Sequence, residues 1–426
     1  TIKLRQGIRF HNGKEMTSED VVASLKRWGG YAAQAKALWT SVEGVRAVDK
    51  STVEIKLKEK SGIVLISLAN ANNFAAVYPK EIAEKYPTPG KVTEYIGTGP
   101  FKFVEWKPDV HIRMVRYDDY KPRAEAANGY GGRKVAYVDE IRWIPMPEVA
   151  TRVASLESGE VDFADDLQAV AYERIKDNPK LRALVVRPYA WAMGVFNKKD
   201  GLMTNVKLRQ AVQAAVDIEP VMRAAVGNPV FYRLDSALAF TEQAAWHSKA
   251  GADAYNQRNK DKAKKLLQEA GYKGEPIRFL TTREYEWMYN VALVTKQQLE
   301  DVGMTVDLQV VDWATLVQRR NNEKMYDIFT TGMTLVPDPT QHPYLRCDWP
   351  GWTCDEAITS RMDAIRKEPD PAKRKALWEE VHRTFYERVP VIRYGDLFGL
   401  RAMQATVKGF NEKMAFPRFY NVWLEK

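Results

Sequence analysis

The spacing of apolar residues changes period repeatedly along the chain, and each change marks an element. Thr17-Ser-Glu-Asp20 precedes apolar residues at Val21, Val22, Leu25 and Trp28. This predicts a helix with Thr17 as its cap and Asp20 reaching back. From Thr52 to Lys58 apolar and polar residues alternate, the period of a half-buried strand. Residues 100–117 read as a hairpin, with Phe101, Phe103 and Val104 on one arm and Ile112, Met114 and Val115 on the other, joined by a Lys107-Pro-Asp109 turn. A strand from Tyr137 to Ile144, a helix over 148–158 ended by Gly159 and a short strand at 161–163 follow. Asn205 caps a helix that carries Val206, Leu208, Ala211, Val212 and Val216.

After a helix over 261–271 stopped by glycine, the alternation becomes regular. A strand is predicted at 277–280, a helix at 288–302, a strand at 304–311, a helix at 314–323 and a strand at 326–330. This is the pattern of a parallel sheet flanked by helices, so the fold class is α/β. Helices over 355–367 and 371–388 lead into a closing strand region from 390 onward, and no internal repeat is visible.

At 426 residues, 45% of them hydrophobic and 28% charged, the chain is ordered and too long for one core. Its longest apolar runs, such as residues 62–70, fall short of the roughly 20 residues that span a bilayer. Thr1-Ile-Lys-Leu-Arg5 reads as a strand already under way, so the chain is expected to begin inside a domain, with no signal peptide in view. The net charge of +9 comes from Lys and Arg spread along the whole length. Such a total favours anionic ligands or a membrane surface, or is simply a solvated face; without a clustered basic face or a known module it argues against nucleic acid.

The candidate chemistry is sparse. The five histidines, His11, His111, His247, His342 and His382, are scattered, and no phosphate loop, nucleophile elbow or His-Glu-x-x-His occurs. The glycine-rich stretch 128–132 follows no strand in the dinucleotide pattern and reads as a surface loop. No catalytic residue, cofactor or metal site is therefore assigned. Cys347 and Cys354 bracket a Pro-Gly turn at a spacing that closes a small disulfide loop in an oxidising compartment. Two unpaired buried thiols are the alternative.

Several motifs resemble one known family. Lys3-Leu-Arg-Gln-Gly-Ile-Arg-Phe-His-Asn-Gly13 with Met16-Thr-Ser-Glu-Asp-Val21 is similar to a hallmark of the family 5 extracellular solute-binding proteins, the receptors of dipeptide, oligopeptide and nickel ABC importers. Gly97-Thr-Gly-Pro-Phe-Lys-Phe-Val-Glu-Trp106, Glu157-Ser-Gly-Glu-Val-Asp-Phe163, Asn205-Val-Lys-Leu-Arg-Gln-Ala211 and Lys262 to Gly271 resemble further family signatures, in the family's order. Family members carry further residues ahead of the first motif, which supply strands and part of the ligand cleft; the chain departs from them there.

The resemblance implies a two-lobed, periplasmic-binding-protein-like type II receptor. Residues 1–95 would form an extra subdomain, 96–196 with 395–426 the first lobe, and 197–394 the second. Crossings near Phe196–Asn197 and Arg393–Tyr394 would act as hinges, so that the lobes close on a ligand and present it to a membrane permease. In peptide-binding relatives a segment after the strand equivalent to 326–330 pairs its backbone with the ligand, and a following aspartate holds the ligand's ammonium group. Here that segment reads Thr330-Thr-Gly-Met-Thr-Leu-Val-Pro-Asp-Pro-Thr340. Met333 replaces the family's tryptophan, and Val336 or Pro337 falls where the ammonium-binding aspartate would lie.

The ligand candidates are therefore Thr330, Thr331, Gly332, Met333, Thr334 and Asp338 in this segment, with Trp191, Arg283, Trp287, Arg393 and Tyr394. Strand-end threonines satisfied locally, core packing of Trp191 and a solvated Arg283 are the plainer alternatives; Asn72 and Asn73 rank lower. The expected function is an extracytoplasmic, periplasmic receptor, monomeric and non-catalytic, for a small polar solute, peptide-like, opine-like or other. An enzyme or sensor on the same bilobal fold is the competing reading.

Overall fold

The structure, a computed structural model, describes residues 1–71, 74–88, 90, 92–414 and 416–425. Asn72 and Asn73 lie outside the described residues. The chain divides into two compact units. One comprises 1–167, 173–184 and 401–426; the other comprises 168–172 and 185–400.

The first unit begins with β1 (Ile2–Lys3), α1 (Ser18–Tyr31), α2 (Ala33–Trp39), β2 (Val42–Asp49), β3 (Thr52–Leu57), α3 (Val64–Leu68) and α4 (Lys80–Lys85). β1, β3 and β2 form a small antiparallel sheet in that order. The helix at Thr17 starts as its sequence requires. Asp20 Oδ2 accepts from the Thr17 N–H at 2.8 Å and from its hydroxyl at 3.0 Å. β4 (Phe101–Lys107), β5 (His111–Arg116) and β6 (Glu140–Trp143) make a second antiparallel sheet. α5 (Val149–Ser158) follows, and then β7 (Phe163–Leu167), which begins where the sequence placed the end of a strand. After α6 (Tyr172–Lys176), the long β8 (Leu181–Phe196) carries the chain from the first unit into the second.

In the second unit α7 (Val206–Ala215) is capped by the Asn205 side chain on the Lys207 N–H. α8 (Ile218–Val226) follows at once, capped by Asp217. Next come β9 (Tyr232–Arg233) and α9 (Lys260–Ala270), stopped by Gly271 at φ 70°. The predicted alternation then appears as β10 (Ile277–Thr281), α10 (Glu286–Glu300), β11 (Val306–Val310), α11 (Trp313–Arg319) and β12 (Ile328–Thr334). α12 (Glu356–Lys367), α13 (Pro371–Arg388) and β13 (Val391–Gln404) complete the unit, and β13 returns to the first unit, where β14 (Val407–Lys408) pairs with β15 (Trp423–Leu424). The strands order as β11-β10-β12-β8-β13, with β9 on β13. β10 runs parallel to β11 and β12, while β12 and β8 are antiparallel.

This sheet is buried on both faces, and the two-residue strand period sorts its side chains between two cores. Ala192, Phe196, Phe279, Ile328, Ile392 and Tyr394 pack in one. Trp191, Met193, Val195, Leu280, Phe329, Met333 and Val391 pack in the other. Cys347 and Cys354 form a disulfide, with Cα atoms 4.5 Å apart.

Candidate functional site

β12 runs further than its sequence suggested, because every residue through Thr334 finds a partner on β8. The register pairs Thr330 with Gly194, Thr331 with Met193, Gly332 with Ala192, Met333 with Trp191 and Thr334 with Ala190. β12 thereby presents its residues to opposite faces, and the predicted ligand segment is divided.

On one face lie Trp191, Thr331, Met333 and Arg393. Trp191 is 1% exposed and meets Tyr344 edge to face at 5.1 Å. The Arg393 guanidinium carbon sits 4.8 Å from the Trp191 ring centroid. Arg393 Nε donates to the Ala237 carbonyl, and Nη2 lies 2.5 Å from Asp396 Oδ1. Asp396, itself fully buried, also meets Arg233, which reaches Glu242. A buried carboxylate between two guanidiniums balances charges that burial alone would penalise.

The same face continues through Tyr344 to His342, whose ring stacks on Trp378 at an interplanar angle of 13°. Burial pushes the His342 imidazole down to about 3, with the positive Arg393 acting in the same direction. Burial likewise lowers His382 to about 4. Its Nε2 accepts the Leu238 N–H at 2.9 Å and its Nδ1 lies 2.8 Å from the Ala250 carbonyl, so both ring nitrogens are engaged in the neutral form. Among the described residues, Arg393 Nη1, Trp191 Nε1, Tyr344 Oη and His342 Nδ1 find no hydrogen-bond partner.

On the opposite face lie Thr330, Gly332 and Thr334, with Trp287 from α10. Thr330 is fully buried and its hydroxyl pairs with that of Thr281 on β10 at 2.7 Å. Gly332 and Trp287 are half-buried and Thr334 is exposed. A β-carbon on Gly332 would stand 3.2 Å from the Trp287 ring, so the missing side chain admits the indole. Tyr394 is buried here too, its hydroxyl accepting from Thr295 Oγ1 at 3.1 Å and its carbonyl accepting from the Tyr255 hydroxyl at 2.6 Å.

Asp338 is 2% exposed, caps the following turn through the Thr340 N–H at 3.0 Å, and lies 2.8 Å from Arg374 Nη2. Its carboxylate is thus committed inside the protein. Arg283 is exposed, stacked 4.3 Å over Tyr289 and bonded to that hydroxyl. Phe196, Asn197, Arg393 and Tyr394 all lie inside the second unit; the long strands β8 and β13 pass between the units at 184–185 and 400–401. Asn197 is held firmly there, donating to the Glu323 and Tyr326 carbonyls at 2.7 and 2.9 Å.

Sequence reasoning missed Tyr344, His342, Asp396 and Arg233. A signal was present in Arg393-Tyr-Gly-Asp396, two opposite charges within the otherwise uncharged stretch 389–400, which cannot be buried apart.

Solved structures share this fold. The periplasmic binding protein AgaA of Agrobacterium tumefaciens R10, solved with agropinic acid, superposes with a TM-score of 0.81 at 24% identity, covering 100% of this chain and 86% of that one. The oligopeptide-binding protein AppA of Bacillus subtilis, solved with a nonapeptide, gives 0.78 at 22% identity over 100% and 86%. The fold is therefore that of the type II periplasmic binding proteins. The family profile for bacterial extracellular solute-binding proteins, family 5 Middle, matches residues 1–351, and the chain belongs to that family. Among curated relatives, a probable peptide ABC transporter periplasmic-binding protein, y4tO, of Sinorhizobium fredii is 29% identical over 96% of this chain and 80% of its own length. The oligopeptide-binding protein AppA of Bacillus subtilis is 27% identical over 80% of this chain and 64% of its own. Among the described residues no helix is long and apolar enough to cross a membrane.

Proposed function

We propose that the protein is the non-catalytic receptor of an ABC importer, acting as a monomer outside the cytoplasm. It captures a small polar solute, peptide-like or opine-like, and hands it to a membrane permease. Family membership supports the class, and the relatives named for peptides and the neighbour bound to agropinic acid support the kind of solute.

In the second unit, the end of β12 at Gly332–Thr334, covered by the half-buried Trp287, and Arg283 in the loop that leads into α10 are the surface that meets the solute. Trp191, Arg393, Thr330, Asp338 and Tyr394 are buried and act as its support. The observation that carries the ligand class is the commitment of Asp338 to Arg374 and Thr340, together with the apolar Val336 and Pro337 beside it. No carboxylate of this segment is left to meet a buried ammonium, which would otherwise bear a large desolvation cost.

Titration calorimetry with a dipeptide, its N-acetyl form and agropinic acid tests this reading. Binding of the N-acetyl peptide or the opine at least as tight as that of the free peptide is expected, with every ligand recovered unchanged. A free peptide preferred by more than about 100-fold, or about 2.7 kcal/mol, contradicts the ligand class. Chemical conversion of a ligand contradicts the receptor.

A further inference from the structure

A pocket of about 410 Å³ lies wholly within the first unit and shares no residue with the candidate solute surface of the second. Six of its lining side chains are basic, namely Lys3, Arg5, Arg9, Lys121, Arg123 and Lys134, and one, Asp119, is acidic. They converge from three stretches: the amino-terminal segment, the chain after β5, and the residues after the glycine-rich loop.

Among the described residues only Arg123 of the six has a carboxylate at ion-pair distance, Glu125 at 2.8 Å. Lys3, Arg5 and Arg9 donate to neutral acceptors. Lys3 Nζ donates to Thr52 Oγ1 at 3.2 Å, Arg5 to the Lys121 and Pro122 carbonyls, and Arg9 to the Gly13 carbonyl. Lys134 Nζ lies 5.0 Å from the Tyr420 ring centroid; burial lowers its pKa, and the charges of Arg418 and Arg123 add to that. Elsewhere in the same unit lysines are matched, as in Lys50–Glu15, Lys56–Glu43, Lys80–Glu19 and Lys85–Glu94. Cations gathered in a concavity repel one another, and the field they focus draws anions.

We infer that this pocket binds a phosphate-bearing anion through Lys121, Lys134 and the neighbouring arginines. A phosphate monoester brings about −1.5 to −2 charges and three strong acceptor oxygens at neutral pH, which suits a site with this excess of donors. The group could be carried by a free phosphorylated compound or by an anionic lipid headgroup, and the two sources are separable by experiment.

Titration calorimetry with inorganic pyrophosphate at low salt reads the first source. Co-sedimentation with vesicles of phosphatidic acid in phosphatidylcholine, against phosphatidylcholine alone, reads the second. Binding in one arm or both is expected, weakening steeply with added salt as the screening length shortens. Lys134→Met and Lys121→Met should each weaken it by about tenfold or more, while Lys26→Met, an exposed lysine of α1, should leave it unchanged; should one pocket variant misfold by circular dichroism, the other gives the same reading. No binding in either arm, or equal losses in Lys26→Met and the folded pocket variant, overturns the proposal.

Discussion

Trp287 lies over Gly332 so closely that a single added β-carbon would come within 3.2 Å of its ring. The contact joins the first turn of α10 to β12 at the one stretch of the strand that reaches solvent. Gly332→Val should push the indole aside, and Trp287→Ala should remove it. Each is expected to weaken solute binding by about 10- to 100-fold, because aromatic anchors dominate such contacts. The melting temperature should fall by only a few degrees, since neither side chain is fully buried. Unchanged affinity in both variants would remove this surface from the account.

Asp396 holds two guanidiniums, with Arg393 and Arg233 each 2.5 Å away. Asp396→Asn leaves Arg393 buried without its counter-charge. Urea denaturation should show a loss of about 3–5 kcal/mol, the range for breaking a buried pair. A loss under about 1 kcal/mol would mean that Arg393 reaches water.

Asp338 is assigned to structure rather than to the solute. Asp338→Asn should destabilise the protein by about 3 kcal/mol through Arg374. Its affinity for the solute, measured on the folded variant, should change by less than about threefold. A large affinity loss without a stability loss would return Asp338 to the binding surface.

Acid should weaken the fold through His342 and His382. Their folded-state values near 3 and 4 lie below the value of about 6.5 for an unfolded histidine. Below that pH the unfolded chain takes up protons that the native state refuses, so stability falls as pH drops from about 6.5 toward 4. Each histidine contributes up to about 1.4 kcal/mol per pH unit in that window. Denaturation midpoints measured across it should slope downward toward acid, and His342→Gln should flatten the slope. A slope that the substitution leaves unaltered would show the imidazole to be protonated in the fold.

What could be read from sequence was local or periodic. The Thr17–Asp20 box, the Asn205 cap, the Gly271 stop and the alternation from β10 to β12 depend on neighbours a few residues apart, and they appear nearly where expected. The division of Thr330–Thr334 between two faces was also implicit in the strand period. The commitments of Asp338 to Arg374, of Arg393 to Asp396 and Trp191, and of Thr330 to Thr281 bring together residues from separate elements, and only packing reveals them. The lengths of β8 and β12 were hidden for the same reason, because a strand extends as far as its neighbour offers hydrogen bonds.

A second unit that holds a solute and leaves it chemically intact should show itself in native mass spectrometry of protein purified without denaturation. A small molecule is expected to be retained by the wild type, released unchanged on unfolding, and lost from the folded Trp287→Ala protein. Retention undiminished in that variant, or release of a chemically altered compound, would contradict this role.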